Sequence, residues 1–236
     1  MKKLYILLTI TGFVFASCSA KEESPNPVSK NTQQNTTTGG GGTGGGGTGG
    51  TGGGGTGGGG TTQPNLTLAS VEQFWGKIDG NVVHIVRGQG DFTSFMANSF
   101  SINTSGPSSV VFGGGLTDID DDKPSITVDK GTLTYNGTNI VPMMDMTTFF
   151  VAGNYPYSVD AESGVAIYFY DENSVFWSTG FGTGDQTGST FEITALSPHA
   201  SGVTVVMKFD CKLYSQDGTQ QIDLKEGIMV LGYENK

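Results

Sequence analysis

The sequence predicts an all-β domain: an antiparallel β-sandwich, with a β-barrel as the alternative. Three observations carry this. Beyond Thr62 the chain alternates polar and apolar residues with period two, Gly, Asn and Asp turns recur at short intervals, and no long amphipathic helix interrupts them. The 174 residues from Gln63 to Lys236 suffice for one domain and are thin for two.

In chain order, Asp79-Gly80 separates the apolar stretch 74–78 from 82–87, which suits a tight hairpin. A short helix over 71–77 with Ser70 and Gln73 as a capping box competes, but Gly76 would weaken it by about 1 kcal/mol. Gly113-Gly114-Gly115 reads as a turn. Asn136-Gly137 is expected to join 133–135 to 138–141 as a second hairpin. Residues 164–170 are apolar or aromatic on both faces, which marks a central strand or one with an aromatic outer surface. Glu172-Asn173 can turn it into 174–179. Phe191, Ile193 and Ala195 alternate with Thr190, Glu192 and Thr194. The clearest strand runs over 203–214: Val203, Val205, Met207, Phe209, Cys211 and Leu213 share one face, and only Val206 breaks the polar side. Asp217-Gly218 then returns the chain into 221–225.

Two segments precede this domain. Residues 1–17 have a Lys2-Lys3 start and an apolar run over 4–14, too short to span a hydrocarbon core of ~30 Å and right for an export signal. Residues 18–62 form a linker, and its stretch 39–62 holds only 18 glycines and 6 threonines. No side chain there offsets the entropy of ordering glycine, so a flexible tether is expected, with a root-mean-square span on the order of 35–40 Å. Its composition excludes it from fold reasoning.

Phe15-Ala16-Ser17-Cys18 resembles the lipobox of bacterial lipoproteins. The resemblance implies that Cys18 is lipidated and becomes the mature N-terminus. An ordinary secretory signal cut at Ala16-Ser17 or after Ala20 is the alternative. Lys21-Glu22-Glu23 just beyond it resembles the export signal that sends Bacteroidetes lipoproteins to the outer face of the outer membrane, the periplasmic face being the other option. Three stretches of the domain also resemble small Bacteroidetes lipoprotein β domains of unknown function: the opening Trp75-Gly76-Lys77-Ile78-Asp79-Gly80, the Phe209-Asp210-Cys211 step, and Glu226-Gly227 in the closing strand. That resemblance implies fold and compartment and brings no catalytic residue with it.

Charge and composition exclude much chemistry. From Gln63 onward, 8 Lys and Arg face 20 Asp and Glu, a balance of −12 that repels phosphate backbones, so no nucleic-acid partner is expected. The chain has no Gly-x-Ser-x-Gly, Ser-x-x-Lys or His-Glu-x-x-His pattern. His84 lies in an apolar strand, His199 in a loop, and Cys211 on an inward face, where a thiol is inert. No catalytic set and no cofactor are expected. Asp118, Asp120, Asp121 and Asp122 are the one candidate calcium loop, although they lack the glycine and terminal glutamate of an EF-hand, and a solvated acidic loop is favoured. For ligand binding, Trp177, Trp75, Tyr155 and Tyr157, with Tyr170, offer flat faces on which sugar rings can stack. Trp177 is favoured because it precedes the glycine-rich 180–184 and alternates with Phe176, so one of the two must face outward.

The expected function is therefore a lipid-anchored, cell-surface, non-enzymatic binding or accessory module. Its partners are the membrane, through the anchor, and an extracellular glycan or surface protein. The alternative is a glycan-active hydrolase using paired carboxylates, which needs two carboxyl groups about 5–10 Å apart.

Overall fold

A computed structural model describes residues 62–119, 124–137, 140–158 and 164–235. The export signal, Cys18, the tether and Asp120, Asp121 and Asp122 lie outside them.

Twelve strands and one short helix follow in order: β1 (Gln73–Ile78), β2 (Asn81–Val86), β3 (Phe92–Met96), β4 (Ser99–Ser101), β5 (Ser108–Asp118), β6 (Ser125–Tyr135), α1 (Met143–Phe149), β7 (Gly153–Asn154), β8 (Ala166–Tyr170), β9 (Phe176–Ser178), β10 (Thr190–His199), β11 (Gly202–Ser215) and β12 (Gln221–Glu234). All pair antiparallel in one sheet of order β2-β1-β12-β11-β9-β8-β6-β5-β3, with β10 on β11, β7 on β10 and β4 on β5. The sheet curls into a nearly closed barrel, so the all-β expectation holds and its barrel alternative describes the shape.

Side chains stitch the seam between the two ends of the sheet. Glu72, just before β1, accepts from Ser94 Oγ of β3 (2.6 Å) and from the Gly232 amide of β12 (2.9 Å), and pairs with Arg87 (3.2 Å). Asn98 Nδ2 donates to the Glu234 carbonyl (2.7 Å). Such bonds take the place of ladder pairs that the last two edges do not make.

The interior is filled as the alternation predicts. Val203, Val205, Met207, Phe209, Cys211 and Leu213 of β11 are all buried in one core with Phe74, Phe112, Ile126, Ile167 and Tyr233. Val206, the apparent break in the polar face, belongs to a second cluster on the outer surface with Trp75, Ile228, Val230 and Leu66. The segment just after the tether therefore covers one patch of the barrel wall.

The Asp79-Gly80 hairpin forms as expected, both residues having positive φ (48° and 80°), and β1 is a strand and no helix. Asp217-Gly218 likewise joins β11 to β12. Two expectations fail. Gly113-Gly114-Gly115 is the middle of β5 and no turn, because a Cβ on Gly114 would sit 3.3 Å from Leu231 Cδ2 and 3.0 Å from Met96 Cε. Glycine there permits β5 to approach β12 across the interior. Nor do the described residues after Asn136-Gly137 form a strand, for Val141 is buried and Pro142 opens α1 instead.

Candidate functional site

The outer face of β3, β5, β6, β8 and β9 carries a groove of about 500 Å³ lined by Phe95, Thr117, Ser125, Thr127, Tyr170 and Asp171. Strand register explains its make-up. Phe95, Gly115, Thr127 and Tyr168 stand opposite one another across four strands, and Ser125, Tyr170 and Phe176 continue the next row. Because opposed residues share a face, hydroxyls and rings line up while the inward rows hold Leu116, Ile126, Val128, Ile167 and Phe169. Two glycines of β5 share this outer face, where neighbouring atoms leave no room for a side chain. A Cβ on Gly113 would lie 2.3 Å from Asp129 Oδ1, and one on Gly115 2.2 Å from the Ile126 carbonyl oxygen.

One wall of the groove is an aromatic stack. Tyr170 lies on Phe176 with centroids 4.5 Å apart and planes 16° from parallel. Tyr168 stacks on the same ring at 5.9 Å, and Phe181 meets it edge-on at 5.2 Å. Tyr170 remains 43% exposed. Beside it Asp171 accepts from the amides of Asn173 and Val175 (both 2.9 Å) and from Trp177 Nε1 (3.2 Å), so the β8–β9 turn holds the carboxylate rigid.

Deeper in the same face, Asp129 is hydrogen-bonded to Tyr168, and burial pushes its carboxyl up to about 6. The phenol of Tyr168 rises to about 12 through burial and the Asp129 charge. A carboxyl raised by burial is a marker of functional sites, though structural pairs produce it too.

The residues singled out from sequence are placed elsewhere and are not brought together. Trp177 faces the core opposite Phe169 and is 6% exposed. Trp75 is 1% exposed beneath Leu66 on the far side of the barrel wall. Neither indole can serve as a platform, which corrects the expectation for both. Phe176 and Trp177 do face opposite sides of β9, and it is Phe176 that faces outward, since the larger apolar ring gains more from burial. Nor is 180–184 a mobile edge: Phe181 packs on Phe176, and a Cβ on Gly182 would lie 3.1 Å from the Tyr214 ring. Tyr157 donates its hydroxyl to the Thr190 and Asp210 carbonyls (both 3.2 Å), and burial raises its pKa. Tyr155 donates to the Val151 carbonyl and lends its ring face to Lys130. Only Tyr170, of the five aromatics considered, lies in the groove. Tyr168 and Phe176 were visible as strand aromatics, but the register that aligns them was not.

Asp118 ends β5 opposite Phe92 and is 1% exposed, continuing the inward row of Phe112 and Leu116. Among the described residues no three His, Cys, Asp or Glu side chains converge to hold a metal. His84 Nε2 contacts Gln73 Oε1 (3.2 Å), and burial lowers its pKa, while His199 is exposed near Ser201. Cys211 is fully buried, and burial raises its thiol pKa. Comparison with known proteins finds no matching family model, no matching curated protein and no matching solved structure.

Proposed function

We propose that the protein is a non-enzymatic glycan-binding module, tethered through a lipidated Cys18 to the outer membrane with its barrel facing the cell exterior. The observation that carries the binding reading is the stack of the exposed Tyr170 on Phe176 beside a groove edged with hydroxyls and a fixed carboxylate. A sugar ring offers an apolar C–H face to such a stack and hydroxyls to Asp171, Thr117, Ser125 and Thr127. That division between flat apolar surface and a few placed polar groups is what pockets for small polar ligands require. Among the described residues no Lys or Arg lines the groove, and the domain is strongly acidic, which favours neutral sugars over uronic or sulfated ones.

Titration of the protein with neutral oligosaccharides, followed by calorimetry, tests this reading. Tyr170→Ala should weaken binding at least tenfold, and unchanged affinity would overturn it. Anchorage is tested separately: Cys18→Ala should move the protein to the soluble fraction, and a membrane-impermeant reagent should label the native protein on intact cells.

A further inference from the structure

A second site lies where β6 parts from β8, and its centre is Lys130. In the β5–β6 ladder Phe112 pairs with Gly131 and Gly113 with Asp129, so Lys130 is the extra residue of a β-bulge. Gly131 takes φ +107°, which glycine accommodates. Lys130 faces inward with Ile126 and Val128 by strand alternation, while Asp129 faces out to Tyr168, and the bulge then brings Leu133 and Tyr135 to the inner face. Its side chain is 5% exposed. The ammonium lies 3.6 Å from the Tyr155 ring centroid, 4.2 Å from that of Phe149 and 6.0 Å from that of Phe150. Among the described residues no carboxylate lies within ion-pair distance of it.

A cavity of about 120 Å³ opens beside this amine, walled by Thr132, Phe149, Tyr155, Pro156 and Val165. The outer wall is pinned by main-chain bonds, Val165 N to the Pro156 carbonyl and Ser158 N to the Val165 carbonyl (both 3.0 Å). Gly164 permits the approach, since a Cβ there would be 2.7 Å from the Pro156 oxygen.

A buried ammonium with no carboxylate partner among the described residues thus borders one small, partly aromatic space. Aromatic faces attract a cation but do not replace a counter-ion. We infer that the Lys130 cavity binds a small monocarboxylate. The carboxylate takes the ammonium, and a few carbons rest on Phe149 and Tyr155. A phosphate or sulfate dianion would need a second cation, which the lining does not provide. Burial lowers the Lys130 pKa to about 8, so the amine still carries its charge at neutral pH.

The test is the thermal midpoint of the full chain in detergent at pH 6.5, with sodium propionate against sodium chloride at equal ionic strength. Propionate should raise the midpoint with a saturating dose dependence, the rise should fade as pH passes about 8, and Lys130→Met, which keeps the apolar stem, should abolish it. Lys130→Gln, which keeps a polar head without the charge, should weaken the response severalfold and serves if the methionine variant does not fold. No difference between the two salts, an equal response in Lys130→Met, or an equal response to neutral propionamide would overturn the proposal. So would trapping of propionaldehyde on Lys130 by borohydride without any propionate effect, since that marks a neutral amine. The glycan reading stands or falls independently, because Tyr170→Ala leaves this cavity untouched.

Discussion

Asp129 and Tyr168 lie diagonally across adjacent strands of the barrel wall and share a hydrogen bond, the carboxyl shifted up to about 6 and the phenol to about 12. Burial is the larger effect on both, and the hydrogen bond only partly restores the acid. Because the folded protein holds this proton more tightly than the unfolded chain, whose carboxyl titrates near 3.8, the folded state is favoured below that value. The advantage is lost as pH rises toward about 6. Urea denaturation across pH 4 to 7 should show stability falling by on the order of 1–2 kcal/mol from this group. Asp129→Asn should remove that slope. Asp185 and Asp217, held below the usual carboxylate range by hydrogen bonds, act with the opposite sign at lower pH, so the difference between wild type and variant is the quantity to read.

The paired motifs Phe209-Asp210-Cys211 and Glu226-Gly227 form one bulge between β11 and β12. The register shifts between Phe209 and Cys211, Glu226 adopts φ +54°, and its amide donates to Asp210 Oδ1 (2.7 Å). Phe209 stacks on Phe74 and Phe191 and fills the space above Gly227, where a Cβ would fall 2.7 Å from its ring. Gly227→Ala should therefore cost about 2–3 kcal/mol by overpacking, read as a lower urea midpoint with an unchanged slope. A neutral result would mean that the ring can move, against its two stacking contacts.

Much of this architecture could be read in the residues, and the failures share a cause. Alternation over 203–213 and the Asp-Gly turns at 79–80 and 217–218 are local signals, and each appears in the fold as expected. Gly113-Gly114-Gly115 could not be told from a turn, because what requires glycine there is Leu231, more than a hundred residues away. Helix α1 has no side-chain cap at Pro142 and only seven residues, so it left almost no signature. The groove depends on register across several strands, and the aromatic faces around Lys130 come from α1 and the segment after it, neither of which a single strand encodes. Trp177 shows the limit at one residue: alternation separates it from Phe176 but does not say which faces out.

Lys130 should cost the ligand-free protein stability at neutral pH, since it is a buried cation held only by ring faces. Its folded pKa, about 8, lies below the 10.5 of an exposed lysine, so wild-type stability should climb as pH rises between those values. Lys130→Met should be more stable than wild type at pH 7 by about 1–2 kcal/mol, the gain narrowing at higher pH. Equal stabilities at pH 7 would show that the rings fully compensate the lost hydration.

The two neighbouring aromatics of β9 should separate binding from folding. Trp177 is buried in the core against Phe169, with its indole nitrogen donating to Asp171, so Trp177→Ala should lose about 3–5 kcal/mol and lower the unfolding midpoint sharply. Tyr170, 43% exposed on the outer face, should lose less than about 1 kcal/mol on truncation to Ala, through its contact with Phe176. Neutral-glycan affinity should respond the other way, falling at least tenfold in Tyr170→Ala. Trp177→Phe keeps most of the core volume but drops the bond to Asp171, so it should weaken binding only moderately, through a carboxylate less firmly held. Calorimetric titration beside urea melts of the three variants gives both numbers for each. Parallel losses of stability and affinity at Tyr170 would assign the stack to the fold and leave the groove without a ligand.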